Sequence, residues 1–133
     1  MANEEHLRIL LEGGVADWNE WRRAHATVIP DFVEAELYKA DLSGDGPTGV
    51  NLYRANLRGV NLVGANLQAA NLRDADLENA TFGFTILGDA DLSGARGLAA
   101  CRHTAQAFWI IRRSQNPKCC LSSFFRDVAY PKG

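Results

Sequence analysis

Long apolar runs and a recognisable export signal are both missing from this sequence. The longest uninterrupted apolar run, Ala107–Ile111, is far shorter than the roughly 20 residues that a membrane-spanning helix needs. It is also too short for the apolar part of a secretory signal. The sequence therefore predicts a chain without a membrane partner and with a cytoplasmic location.

The chain also lacks a strong net charge. Its formal charge of −2 argues against direct nucleic-acid binding, because general nucleic-acid binders are usually strongly basic. The distribution is uneven: residues 1–29 hold 5 acids and 3 bases, residues 30–97 hold 10 and 5, and residues 98–133 hold 1 and 6. We expect the basic end to be attracted to the acidic middle.

Cysteines are few, and their spacing suits neither disulfides nor metal. An odd number that includes an adjacent pair, Cys101 with Cys119 and Cys120, makes no disulfide framework and favours reduced thiols. Zinc ligands are usually about two to four residues apart, which Cys101 with His103 and the adjacent pair do not match. No metal and no cofactor is predicted, and the thiols are expected to be small buried groups.

Catalytic signatures are missing as well. The sequence contains no nucleophile-elbow serine motif, zinc-protease helix motif, redox cysteine pair or dinucleotide-binding glycine motif. The three histidines, His6, His25 and His103, lie away from any obvious nucleophile. The sequence therefore predicts a protein that is not an enzyme.

A period of five residues dominates the middle of the chain. From Pro30 onward, the third position of nearly every pentad is a large apolar residue. These centres are Phe32, Leu37, Leu42, Leu52, Leu57, Leu62, Leu67, Leu72, Leu77, Phe82, Leu87 and Leu92. A small residue lies two positions earlier, most often alanine: Ala35, Ala40, Ala55, Ala65, Ala70, Ala75, Ala80 and Ala90.

This period matches neither an amphipathic helix nor a plain strand, whose periods are about 3.6 and 2. It instead predicts a wall that turns a corner every five residues. The centre and the small residue would face the interior, and the other three would face water. Stacked turns would then bury one continuous column of leucine side chains, as in other solenoids.

The runs A-N-L-R-G (55–59), A-N-L-Q-A (65–69) and A-D-L-E-N (75–79) resemble the pentapeptide-repeat family. The resemblance implies an all-β solenoid, a right-handed quadrilateral β-helix with four pentads per coil. It predicts three parts: a helical cap at 1–29, a coil domain of about three coils at 30–97, and a second helical cap at 98–133.

Both ends of the chain are predicted to form helical caps. Asn3 and the acidic residues after it mark a helix start, and Gly13-Gly14 mark its end. A second short helix would present Trp18 and Trp21 to the first coil. After Gly97, apolar segments that contain Phe108 and Trp109 are expected either to cover the last coil or to form a dimer.

One pentad, residues 45–49, breaks the pattern with Asp45 and Pro47 at the inward positions. It is either a distorted wall or a five-residue loop outside the coil. As a wall, it would stack residues twenty apart, which gives the columns Glu34–Arg54–Asp74 and Tyr38–Arg58–Glu78. As a loop, it would shift the first three centres by one wall, and both columns would be wrong.

Two walls are nearly free of charge. In the first alternative, one of them carries Val63 and Phe84 beside small residues. Something is expected to pack there, which makes Val63, Phe84, Phe108 and Trp109 a candidate interaction surface. The predicted partner is an unidentified protein or a second copy, held through the C-terminal helices or a flat wall.

An alternative comes from quinolone-resistance members of the family, which mimic duplex DNA and bind DNA gyrase. Duplex DNA carries about nine charges over roughly 16 Å, the expected length of this coil. The net charge of −5 over residues 30–97 falls short of that.

Overall fold

The computed structural model describes residues 2–44 and 49–98, together with the backbone of Arg102–His103. It contains one helix, α1 (Glu4–Ala24), and two short strands, β1 (Thr81–Phe82) and β2 (Arg102–His103). The strands pair in parallel, with Thr81 opposite Arg102. The three cysteines and the predicted C-terminal helices, with Phe108 and Trp109, lie outside the described residues.

The sequence predicts correctly where α1 begins and where it is interrupted. The Asn3 side chain caps the helix, because its Oδ1 accepts hydrogen bonds from the backbone N–H groups of Glu5 (2.9 Å) and His6 (3.3 Å). Gly14 interrupts the regular helix with a φ of 84°, a conformation that glycine adopts without steric cost. The break expected at Gly13-Gly14 is therefore confirmed.

The rest of the described chain is a β-helix type of solenoid, held together by parallel bridges between successive coils. Asn51 bridges to Asn71, and Asn56 bridges to Asp76, so four pentads complete one coil. Each corner is closed within the chain, as where the Ala55 N–H donates to the Leu52 carbonyl at 3.0 Å. Each pentad thus supplies one short bridge and one tight corner, which explains why the repeat has a period of five residues.

The coil has four walls, which we number in chain order. Each wall stacks one pentad from each of three coils, and Arg96 and Arg102–His103 continue walls 1 and 2 beyond the third coil. Wall 1 is 30–34, 55–59 and 75–79; wall 2 is 35–39, 60–64 and 80–84; wall 3 is 40–44, 65–69 and 85–89; wall 4 is 50–54, 70–74 and 90–94.

The interior is filled by the pentad centres. All twelve residues predicted as centres are buried, and all eight predicted small residues except Ala40 are buried too; Ala40 is partly buried. One polar side chain replaces alanine inside. The Thr85 hydroxyl donates to the Leu62 carbonyl at 2.7 Å, so that its burial leaves no unmet hydrogen bond.

Residues 45–48, for which the sequence leaves a distorted wall and a loop as alternatives, lie outside the described residues. The bridges on either side give the spacing of the coils. From Asn51 onward the isolated bridges join residues twenty apart, but in the first coil they join residues twenty-five apart, as for Glu36 with Asn61 and Asp41 with Asn66. The Val50 N–H donates to the Leu42 carbonyl at 3.2 Å, so the five additional residues of the first coil fall between Leu42 and Val50, at the corner between walls 3 and 4.

The insertion of these five residues corrects the two charge columns expected from a twenty-residue repeat. Glu34 donates its N–H to the Arg58 carbonyl and Lys39 donates to the Val63 carbonyl, both at 2.8 Å. The first three pentads therefore sit one wall further on than a regular repeat would place them. Tyr38 consequently stacks with Val63 rather than with Arg58.

Candidate functional site

The end of the first coil is partly covered by α1. Trp18 is fully buried there, and its Nε1 donates to the Asn51 carbonyl at 2.8 Å. The Asn19 side chain accepts from the Asn51 N–H at 2.8 Å and donates to the Gly49 carbonyl at 3.1 Å. Both hydrogen bonds to Asn51 take the place of those that another coil would make to wall 4.

His6 belongs to the same contact, although its role is not evident from the sequence. Its Nδ1 accepts a hydrogen bond from the Asp31 N–H at 3.0 Å, and its ring lies 5.0 Å from that of Trp21 and 5.9 Å from that of Trp18, between centroids. Burial lowers the pKa of His6 below its ordinary value, which favours the neutral ring that this bond requires. Its position four residues before buried Leu10 is the one sequence signal that could have identified it.

Arg22 is a second buried group that sequence reasoning did not single out. Its guanidinium donates to the carbonyls of Val28 (2.7 Å) and His25 (3.1 Å) and reaches the Tyr53 carbonyl at 3.4 Å. Burial lowers its pKa. Since it holds the chain between α1 and the first coil, its role is structural.

A polar groove of about 310 Å³ lies between α1 and walls 3 and 4. The described residues that line it include Arg23, Asn51, Asn71, Asp89 and Asp91. They bring amides, carboxylates and one guanidinium together, but neither a nucleophile nor a histidine is among them. The groove offers hydrogen bonds and no evident reaction.

Wall 1 carries both signs of charge. Arg58 lies 3.1 Å from Glu78 and 3.6 Å from Asp76, measured between nitrogen and carboxylate oxygen. The pairs are largely exposed and contribute little to stability. They do interrupt the negative charge that a mimic of duplex DNA would need on this wall.

Wall 2 carries exposed apolar side chains in two neighbouring columns. Tyr38 of the first coil is 54% exposed, and Val63, at the same position of the second coil, is partly buried. Phe84 of the third coil is 57% exposed and lies at the next position, which Lys39 and Gly64 hold in the first two coils. Phe84 also has a φ of 51°, an unusual backbone conformation for a bulky residue. Two predicted surface residues, Val63 and Phe84, thus share this wall.

The described residues hold neither a metal-ligating cluster nor a membrane-spanning helix. Within residues 2–44 and 49–98, no three metal-ligating side chains lie close enough together to hold an ion. No helix in the same part of the chain is long and apolar enough to cross a membrane.

Comparison with solved structures finds a pentapeptide repeat protein from the thylakoid lumen of Arabidopsis thaliana. The two chains share 30% identity over an alignment that covers 57% of this chain and 41% of the other, with a TM-score of 0.33. This chain thus spans less than half the length of that protein. Comparison with curated proteins gives no match.

The thylakoid origin of that protein corrects the cytoplasmic location expected from the sequence. The expectation rested on short apolar runs and the lack of a recognisable export signal. A coil with leucine and alanine inside and asparagine or aspartate outside has the same physical requirements in either compartment. Its composition therefore does not identify the compartment.

A family model confirms the resemblance that the repeats suggest. The model for pentapeptide repeats matches residues 48–83, with eight copies of the repeat. This range covers parts of all four walls, including Val63, and it ends one residue before Phe84. Residues 48–83 of this chain are pentapeptide repeats.

Proposed function

We propose that this chain is a non-enzymatic protein–protein interaction module that binds its partner through wall 2. In this proposal it is a right-handed quadrilateral β-helix with helical caps at both ends. Pentapeptide repeats generally serve as structural or interaction modules. The observation that carries the proposal is the exposed phenyl ring of Phe84 on the same wall as Tyr38 and Val63.

The left-handed conformation of Phe84 lowers the stability of the fold, and the exposed ring gains nothing in return unless it binds another molecule. A side chain in the left-handed region costs roughly 1–2 kcal/mol, and a phenyl ring that is more than half exposed recovers little of this by burial. Seven other residues hold the same turn conformation, so the size and exposure of its ring are what distinguish Phe84. A partner that covered the ring would supply the missing apolar contact.

A substitution of Phe84 that the turn conformation tolerates separates binding from folding, and another turn of the coil shows which residue is suitable. Asn79 occupies the same turn position on wall 1 with a φ of 63°, so Phe84→Asn is compatible with the backbone. The matched control is Asp89→Asn, at the same turn position on wall 3, where φ is 57°. Both variants should fold as the parent does.

The experiment is affinity capture from the native host with the parent chain and both variants. We expect a partner that the parent and Asp89→Asn retain and that Phe84→Asn binds about tenfold or more weakly, as for an aromatic hot spot. Equal capture by all three proteins would refute binding through wall 2.

A second copy of the chain is the other occupant to test. Light scattering of the purified parent and of Phe84→Asn measures this directly. A parent dimer that becomes monomeric on Phe84→Asn would identify self-association through wall 2. A dimer that persists would place the contact elsewhere.

A further inference from the structure

The first coil presents a set of backbone groups toward its N-terminal side. The second coil shows which groups these are. The Asn61 N–H donates to the Ala35 carbonyl and the Asn61 carbonyl accepts from the Leu37 N–H, both at 2.9 Å. The Val63 carbonyl accepts from Lys39 at 2.8 Å. On each wall, therefore, the residue before the centre offers both its groups to the preceding coil, and the residue after it offers its carbonyl.

On walls 1 and 4 the N–H and carbonyl of the residue before the centre are taken by α1 and the residue before it. The Asp31 N–H donates to His6 Nδ1 at 3.0 Å, and the Asp31 carbonyl accepts from the Asn3 N–H at 3.0 Å. The Asn51 groups bond to the side chains of Trp18 and Asn19, both at 2.8 Å. Half of the coil end is thus closed by substitute partners.

On walls 2 and 3 the same groups have no partner within residues 2–44 and 49–98. The N–H and carbonyl of Glu36, those of Asp41, and the carbonyls of Tyr38 and Ser43 have no hydrogen-bond partner among the described residues. Glu36, Tyr38 and Asp41 are all exposed. The core beneath is closed, since Leu37 and Leu42 are each only 1% exposed. Only the backbone edge is open here, and not the apolar interior.

We infer that this open edge, formed by Glu36, Tyr38, Asp41 and Ser43, binds an extended basic segment of a protein partner by strand addition. An unpaired edge is a ready template for another chain. The segment would donate to the carbonyls of Glu36 and Asp41 and accept from their N–H groups, as the first coil does for Asn61 and Asn66 of the second coil. This inference rests on the proposed function and deepens it by naming the chemistry of the partner.

Charge identifies the segment as basic. The bridge positions of the open edge are both acidic, Glu36 and Asp41, whereas the corresponding positions of the second coil are the neutral Asn61 and Asn66. In a parallel ladder, side chains at equivalent positions stack directly. Lysine or arginine above each acid would therefore be favourable. Two copies of the same edge would instead bring acid against acid, so a second copy does not fit.

The probe is a synthetic peptide that supplies the missing pentads, two copies of Ala-Lys-Leu-Ser-Gly with blocked ends. Its lysines occupy the positions above Glu36 and Asp41. One control peptide has glutamate in place of lysine. Another is N-methylated at both leucines, which removes the two N–H groups that would donate to the carbonyls of Glu36 and Asp41.

Binding is followed in the full chain by amide NMR, with the peptides added to millimolar concentration. We expect the Glu36 and Asp41 amide signals to shift with the lysine peptide, and both control peptides to bind about tenfold or more weakly. Equal binding of the N-methylated peptide would overturn strand addition. Unshifted Glu36 and Asp41 amides would overturn the site.

Two variants separate this site from wall 2. Glu36→Lys should weaken the lysine peptide about fivefold, whereas Asp89→Lys makes the same change two coils away and should have no effect. Lys39 shows that lysine is accepted at that turn position. Phe84→Asn should bind the peptide as the parent does. If Phe84→Asn also captures the partner normally, the wall 2 proposal fails while the edge site stands.

Discussion

The second residue of each corner turn lies in the left-handed region, and eight of these positions hold residues other than glycine. Each of these eight residues lowers the free energy of unfolding by a fraction of what the coil gains from its buried side chains. The compensation comes from the centres, because every coil buries one large apolar side chain from each of its walls. The stability of the coil should therefore respond strongly at the centres and weakly at the outward positions.

Leu67 and its neighbour Gln68 test this contrast. Leu67 is fully buried in the second coil and Gln68 is exposed. We expect Leu67→Ala to lower the free energy of unfolding by about 2–5 kcal/mol, since it leaves a cavity between two coils, and Gln68→Ala to change it by less than about 0.5 kcal/mol. Urea unfolding followed by circular dichroism measures both. Similar losses in the two variants would contradict a leucine-filled interior.

Periodicity made the centres predictable, since one residue in five must face inward in a four-walled coil. It gave no information about His6 and Arg22. Both lie before the repeat begins, and each is buried by contacts with the first coil. Their roles depend on where α1 lies relative to the coil, and no local pattern in the sequence specifies that.

At the scale of elements, the insertion at 45–49 shows a limit of the same signal. Its five residues leave the phase of every later leucine unchanged, so the repeat is equally regular whether the pentad forms a wall or a loop. The bridge spacing decides between them: twenty-five residues across the insertion and twenty after it. The consequence is large, because the shift places Tyr38 on the wall that carries Val63 and Phe84.

Deleting residues 45–49 tests this interpretation. The deletion would join Gly44 to Val50 and convert the corner between walls 3 and 4 into an ordinary one. Gly44 already has a φ of 73°, which suits the turn position. We expect the free energy of unfolding to fall by no more than about 1–3 kcal/mol, because closure entropy changes little and the deletion removes the two hydrogen bonds of Gly49 to Asn19 and Ala69.

The matched control is deletion of residues 65–69, a pentad that forms wall 3 of the second coil. Removing it would shift the later ladder by one wall and should cost far more stability. Thermal unfolding of the two deletion variants separates the alternatives. Equal losses would contradict the assignment of 45–49 as an insertion.

The contact between α1 and the first coil should depend on pH through His6. Because burial lowers the pKa of His6 below 6.5 in the folded state, the unfolded chain binds more protons as the pH falls past that value. The contribution of His6 to the free energy of unfolding should therefore be fully present above about pH 6.5 and should decline as the pH falls below that value. Asp31 and Glu5 oppose this shift in pKa, whereas Arg22 adds to it.

The His6→Asn variant isolates this effect, since an amide oxygen can accept from the Asp31 N–H without titrating. Urea unfolding at about pH 7.5 and pH 5.5 should show a smaller loss for His6→Asn than for the parent. His25→Asn, which alters an exposed histidine, should behave as the parent does. A parent whose stability is the same at both values would contradict the role of His6.

For the whole molecule, charge sets the expectations about partners. Residues 30–97 hold ten acids and five bases, and Arg58 lies against two of the acids on wall 1. The open edge concentrates negative charge at Glu36 and Asp41, beside the exposed apolar side chains of wall 2. A partner with a basic extended segment and an apolar patch would match both surfaces at once.

The same distribution predicts no mimicry of duplex DNA. A mimic needs a continuous row of negative charge, about one per 1.7 Å, whereas wall 1 alternates in sign and wall 2 is apolar beyond the first coil. We expect no inhibition of supercoiling by DNA gyrase with this protein in large excess, in an assay where a quinolone gives full inhibition. Inhibition by the parent that Glu36→Lys relieves would contradict this expectation and assign the acidic edge to gyrase.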